Sequence, residues 1–190
     1  KAKQAGAKFI SIDPLLTDTA LVTEAEWLGI NPGTDVALIA ALSYVMVVEN
    51  LYNKDFMAKY TVGFDEDTLP EGAPANSSWM SYIMGVADGI KKTPEWAAEI
   101  TGIPAERIAS LAREIAGTKP CALLQGWGPQ RRAYGEQVVR ALPILAAMTG
   151  NIGIPGGGVG LRPGGMSFKM GGMPMPENPV KGIISVFMWP

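Results

Sequence analysis

Three short stretches carry side chains whose types and spacing could do chemistry, and each sits where an apolar run gives way to turn residues. In Ser11-Ile12-Asp13-Pro14 a carboxylate closes the run Lys8-Phe9-Ile10-Ser11-Ile12. Asp13 is either a ligand group at a strand end or the turn-forming neighbour of Pro14. In Pro32-Gly33-Thr34-Asp35, glycine lets a ligand approach the backbone, a helix start supplies free N–H groups, and Thr34 can cap them. Asp35 has two readings. It is an ordinary first-turn acid, or it accepts two hydrogen bonds from the ring N–H and exocyclic amine of a guanine, since a carboxylate at that place repels phosphate. In the third stretch, Gln125-Gly126-Trp127-Gly128-Pro129-Gln130-Arg131-Arg132, two glycines remove bulk and Trp127 offers a flat apolar wall. Gln130 supplies both donor and acceptor, and the arginine pair can meet phosphate. A surface turn with solvated arginines is the alternative.

Composition narrows the chemistry. The 190 residues contain no histidine, which removes His-based triads, His-ligated zinc or iron, and His acid–base catalysis. The one cysteine, Cys121, allows neither an intrachain disulfide nor a Cys-rich metal site, and is expected as a small buried apolar residue. A net charge of −2 gives no electrostatic footprint for nucleic acid. No GxxxxGK[ST] loop exists and no GxGxxG follows a strand, so the common ATP and NAD readings fail. The Gly/Met-rich run from Gly153 to Met173 must wrap a ligand or be mobile. Its methionines, without His or Cys nearby, fit packing at a domain contact better than copper.

Positioning these stretches requires alternating strands and helices. Strands are expected at Lys8–Ile12, Trp27–Ile30, Cys121–Gln125 (buried) and Ile183–Met188. Helices are expected at Thr17–Ala25, from Thr34-Asp35 through VALIAALSYVMVVENL, at Asp55–Tyr60 and at Trp79–Ile90. Two more start at Thr93-Pro94 and Pro104, and another runs Glu136–Met148, bent at Pro143. The helix after Asp35 is apolar on nearly every face and must be buried on both sides. Lys1–Lys8 reads as the tail of a helix. Together this is an α/β fold: a Rossmann-like, mostly parallel sheet with flanking helices, of dinucleotide-binding type. Charged residues are only 18% against 47% apolar, and mean hydropathy is +0.14, so much of the outside should be covered. With no initiator Met and an apolar run at the far end, the chain is expected to be a segment of a longer polypeptide. Residues 1–160 form a cofactor-binding domain, and residues 161–190 a Gly/Met-rich loop and strand leading onward. No run is apolar and long enough to span a membrane.

The motifs IDPxxTxTA, PGTDxAL, TGIPAERIxxLAREIA, QGWGPQRRAYGE and TGNIGIPGGG, in this order and spacing, resemble the molybdopterin oxidoreductases of the dimethyl sulfoxide reductase family. The match covers about Phe9 to Gly158. The resemblance implies a molybdenum bis(molybdopterin guanine dinucleotide) cofactor and an anaerobic reductase that removes an oxygen atom from a substrate such as dimethyl sulfoxide. It also implies site residues. Ser11, Ile12, Asp13, Pro14 and Leu15, with Gly33, Thr34 and Asp35, would meet a guanosine end, Asp35 on the guanine. Gln125, Gly126, Trp127, Gly128, Gln130 and Arg131 would lie nearer the pterin and the substrate funnel. Leu15 departs from the arginine common after IDP. The family's molybdenum ligand and iron–sulfur cysteines have no counterpart here, so this segment would hold no catalytic or metal-ligating residue and would be inactive alone. The resemblance further implies an iron–sulfur electron-transfer subunit, a membrane anchor subunit and an extracytoplasmic or periplasmic location, with no nucleic-acid partner. Two alternatives remain: a noncatalytic homologue of the same fold in a respiratory complex, and an unrelated guanine-nucleotide module.

Overall fold

The computed structural model describes residues 1–160 together with Glu177, Pro179 and Gly182. The element order is β1 (Ile10–Ile12), α1 (Asp18–Thr23), β2 (Glu26–Leu28), α2 (Asp35–Val48), α3 (Lys54–Tyr60), α4 (Trp79–Ile83), α5 (Pro94–Thr101), α6 (Ala105–Gly117), β3 (Ala122–Leu124), α7 (Glu136–Met148) and β4 (Gly158–Gly160). The expected strand at Ile183–Met188 and most of the 161–190 region lie outside the described residues.

Local chemistry sets most boundaries. Thr17, Asn53, Ser78 and Thr93 each accept a backbone N–H with the side chain at the start of a helix, satisfying donors that the helix cannot use. Pro94 follows Thr93 as the first residue of α5, and Gly102 closes that helix at φ +78°. Pro104 instead precedes its helix, one residue earlier than expected, and α6 begins at Ala105. The first residues form a single 3-10 turn at Lys3–Ala5 rather than the tail of an α-helix.

The single mostly parallel sheet anticipated from the alternation of elements is not formed among the described residues. Instead there are two separate parallel pairs, β1 with β2 (Ser11 opposite Trp27) and β3 with β4 (Leu123 opposite Val159). The reason is α2. Its apolar surface runs all the way round, and Ala40, Ala41, Ser43 and Met46 are fully buried. It packs on α4, α5, α6 and α7, so its neighbours are mainly helices. Leu38, Leu42, Ile103, Ile108, Leu111 and Leu145 belong to the same core cluster. Burying each such side chain contributes about 1.5–3 kcal/mol.

Two further expectations are corrected. The helix from Trp79 stops at Ile83 rather than Ile90, because Gly85 at φ +75° turns the chain back until the Lys92 N–H donates to the Ile83 carbonyl at 2.9 Å. A Cβ on Gly85 would stand 2.7 Å from the Ile90 carbonyl carbon, so both the conformation and the space require glycine. The strand after Cys121 is not buried: Leu124 is 80% exposed, since β3 has one neighbour and no layer over that side. Cys121 is half-buried against the core, and burial, helped by Glu114, pushes its thiol up, away from nucleophilic use. The β2 strand is tied to α6 by a forked pair, Arg107 Nε to Glu26 Oε1 at 2.5 Å and Nη2 to Oε2 at 3.0 Å, which draws the Glu26 carboxyl below its ordinary range.

Candidate functional site

The ends of β1, β2 and β3 all open toward one cleft. After β1 the chain runs into Asp13-Pro14; after β2 it passes Ile30 to Gly33 into the start of α2; after β3 it becomes the loop Gln125 to Tyr134. A cavity of about 280 Å³ lies between these three, lined by Ile12, Asp13, Pro14, Gly33, Asp35, Gly128, Pro129 and Arg132 among others. A second cavity of about 250 Å³ shares Ile12, Asp13, Ile30, Asp35, Gly128 and Pro129 and reaches Gln125, Gly126 and the apolar residues Leu38, Leu42 and Leu145. Carbonyl-side strand ends and a helix start thus converge as they do in ligand clefts of parallel α/β folds.

Asp13 holds the first wall. Its Oδ1 accepts from the Leu15 N–H at 2.9 Å, a local turn, while its backbone carbonyl accepts from the Trp27 indole N–H at 2.9 Å. Asp13 thus shapes the turn, as expected of an Asp-Pro pair, and also lines the cleft. Gly33, at φ +94°, forms the second wall, and a Cβ there would come within 3.0 Å of Arg132 Nη1. Thr34 does not cap α2. Its hydroxyl donates back to the Asn31 carbonyl at 2.7 Å, closing the turn ahead of the helix. Asp35, the first residue of α2, is ion-paired through Oδ2 with the Arg132 guanidinium, and both side chains are only about a quarter exposed.

Gln125 is the most informative residue of the third wall. It is 7% exposed, and its Oε1 is buried without a hydrogen-bond donor. An acceptor left so costs about 1–3 kcal/mol, which a donor brought by a ligand would recover.

Of the residues selected from sequence, Ile12, Asp13, Pro14, Gly33, Asp35, Gln125, Gly126 and Gly128 line these two cavities. Ser11, Leu15, Thr34, Trp127, Gln130 and Arg131 do not. Leu15 is 71% exposed, and Trp127 is exposed with the Arg131 guanidinium 5.5 Å from its ring centre. Of the arginine pair, Arg132 lines the first cavity and Arg131 does not, because consecutive residues of a tight turn face different ways. Asn31, ahead of the stretch Pro32 to Asp35, also lines the first cavity. Asn31 anchors the cleft to α5, donating from Nδ2 to the Ile100 carbonyl at 2.9 Å and from its backbone to Thr101 at 2.8 Å. Its position directly before Pro-Gly-Thr was the available signal. Among the described residues no group of three or more His, Cys, Asp or Glu side chains is placed to hold a metal ion. No helix among them is long and apolar enough to cross a membrane.

The profile described as "Molybdopterin oxidoreductase" matches residues 1–182. The chain is 54% identical over 98% of its length to the dimethyl sulfoxide reductase DmsA of Haemophilus influenzae, and 52% identical over 98% to the DmsA of Escherichia coli K12. It spans 23% of each of those relatives, about a quarter of their length. Among solved structures, the acetylene hydratase from Pelobacter acetylenicus superposes with a TM-score of 0.65 at 27% identity, over 80% of this chain and 18% of that one.

Proposed function

The chain belongs to the molybdopterin oxidoreductase family, and from that premise we propose that it forms the guanine-dinucleotide-binding segment of a molybdenum reductase. The observation that carries this reading is the convergence of Gly33, Asp35 and Gln125 on adjoining cavities at the strand ends. The donor set fits an organic nucleotide-like group rather than a directly bound metal. Asp35 accepts the paired N–H donors of a guanine. Adenine, with an acceptor in place of the ring N–H, meets the same carboxylate with one repulsive contact.

Gly33 keeps the backbone open to close approach, and Arg132 supplies a guanidinium fork for the phosphates next to the base. The buried Gln125 Oε1 accepts a ring or amino N–H further along the cofactor, and Leu38, Leu42 and Leu145 keep water from the deep wall. When bound, molybdopterin guanine dinucleotide supplies two-electron oxygen-atom chemistry at molybdenum. This segment binds and orients it, in a Rossmann-like half that strands elsewhere in the polypeptide complete. The whole protein, on this proposal, reduces a small oxygen-bearing substrate such as dimethyl sulfoxide at the extracytoplasmic face, served by an iron–sulfur subunit and a membrane anchor.

The test is calorimetric titration with GDP and with ADP, after circular dichroism establishes that the 190-residue chain is folded. GDP binding that ADP does not reproduce, and that Asp35→Ala abolishes, is the expected result. A folded chain equally indifferent to both bases, with Asp35→Ala unchanged, overturns the assignment of the guanine to Asp35.

A further inference from the structure

Away from that cleft, α4 and one face of α7 enclose a cavity of about 320 Å³ whose chemistry the cofactor reading does not use. Gln137, Arg140, Ala141 and Ile144 come from α7 at helical spacing, and Trp79 and Tyr82 from α4. No acidic side chain lines it. The indole N–H of Trp79 is buried with no acceptor, and Gln137 and Arg140 make no side-chain hydrogen bond or ion pair among the described residues. The hydroxyl protons of the two lining serines are committed elsewhere: Ser77 donates to the Pro74 carbonyl at 2.6 Å and Ser78 to Glu66 at 2.5 Å. Glu66, the acid behind Ser78, has its own charge satisfied by Ser78, Ser81 and the Asn76 N–H.

We infer that this cavity binds a carboxylate, held by the Arg140 guanidinium, the Gln137 amide and the Trp79 indole N–H. Arg140, the Gln137 amide NH2 and the Trp79 indole each offer a donor, one of them cationic and forked, and no carboxylate opposes them, which suits the two oxygens of a carboxylate. Trp79, Val36 and Ile144 give the rest of the wall an apolar character, so the carboxylate is carried on an apolar body. Two sources have that chemistry: a free organic acid, or an acidic side chain from the part of the polypeptide beyond this segment.

The experiment uses the full-length enzyme that carries this segment, as wild type, Arg140→Gln, Arg140→Lys and the exposed control Lys91→Gln. Benzoate is the probe and benzamide its uncharged counterpart, with calorimetry and thermal midpoints as readouts. Saturable binding of benzoate but not benzamide, weakened about tenfold or more by Arg140→Gln and partly restored in Arg140→Lys, identifies a free acid as the occupant. Failure of benzoate to bind, with Arg140→Gln lowering the midpoint by several degrees, Arg140→Lys restoring it and Lys91→Gln neutral, identifies an internal acidic side chain. No benzoate binding and four equal midpoints overturn the inference.

Discussion

Removing Arg132 should tighten guanine binding while loosening the fold. The Arg132 and Asp35 side chains are 28% and 24% exposed, so their ion pair is partly solvated and worth about 1 kcal/mol rather than several. A guanine that takes both carboxylate oxygens must first displace the guanidinium. Arg132→Gln leaves that cost out of binding, and about 1 kcal/mol is about fivefold in affinity. The same ~1 kcal/mol leaves the folded state, lowering the thermal midpoint by about 2–4 °C for a chain of this size. Guanosine is the right titrant, because it lacks the phosphates that Arg132 would otherwise meet. Calorimetry at low and high salt should give a wild-type affinity that approaches the variant's as salt screens the pair. If Arg132→Gln leaves guanosine binding unchanged or weaker while Asp35→Asn abolishes it, arginine and base do not compete for one carboxylate, and the reasoning fails.

Two other expectations follow from buried and bonded charges. Three donors hold the Glu66 carboxyl down at about 2, against an ordinary 4.5; its stabilising effect is complete above about pH 5, fades as pH falls from 4.5 toward 2, and is gone below, so the midpoint difference between wild type and Glu66→Gln should shrink through that window and vanish at its acid end. A difference that stays constant from pH 6 to 2 would exclude the carboxylate as its source. Lys92 is 2% exposed, bonded to Asp88 at 2.5 Å and the Ile90 carbonyl at 2.6 Å, with the Tyr82 ring centre 4.4 Å away. Lys92→Met keeps the packed stem and costs about 1 kcal/mol, whereas Asp88→Asn strands a buried ammonium and should lower the midpoint further; urea unfolding in the reverse order refutes this.

What the sequence discloses and what it hides can be traced to particular residues. The helix from Glu136 to Met148 is found at its anticipated limits because its apolar spacing starts at a glycine and ends at Thr149-Gly150. Thr93-Pro94 likewise marks α5 without ambiguity. Gly158-Val159-Gly160 carries no strand signal, since two of its three residues disfavour strands; only pairing with Ala122–Leu124 makes it one. Leu124 is apolar in sequence yet open in space, because burial depends on a layer that no local pattern reveals. At the site, Asp35 and Gly33 are legible from turn and helix-start chemistry. Arg132 is not, because which of two adjacent arginines faces Asp35 is decided by the path of the loop 125–134.

The encasement of α2 divides the labour of the cleft in time. Asp35 opens a helix gripped by α4, α5, α6 and α7, so the backbone that carries its carboxylate is held in place. The facing wall is a loop whose Gly126, Trp127, Gly128, Gln130 and Arg131 are exposed and whose own backbone bonds are local turns, such as Gln130 N–H to the Trp127 carbonyl at 3.2 Å. Loops of this kind rearrange in about nanoseconds to microseconds, far faster than packed helices shift against one another. On the proposed assignment of the guanine to Asp35, discrimination between bases rests with the helix wall and admission with the loop wall. Changes in the loop can tune how quickly a ligand is taken up or let go without altering which ligand is preferred.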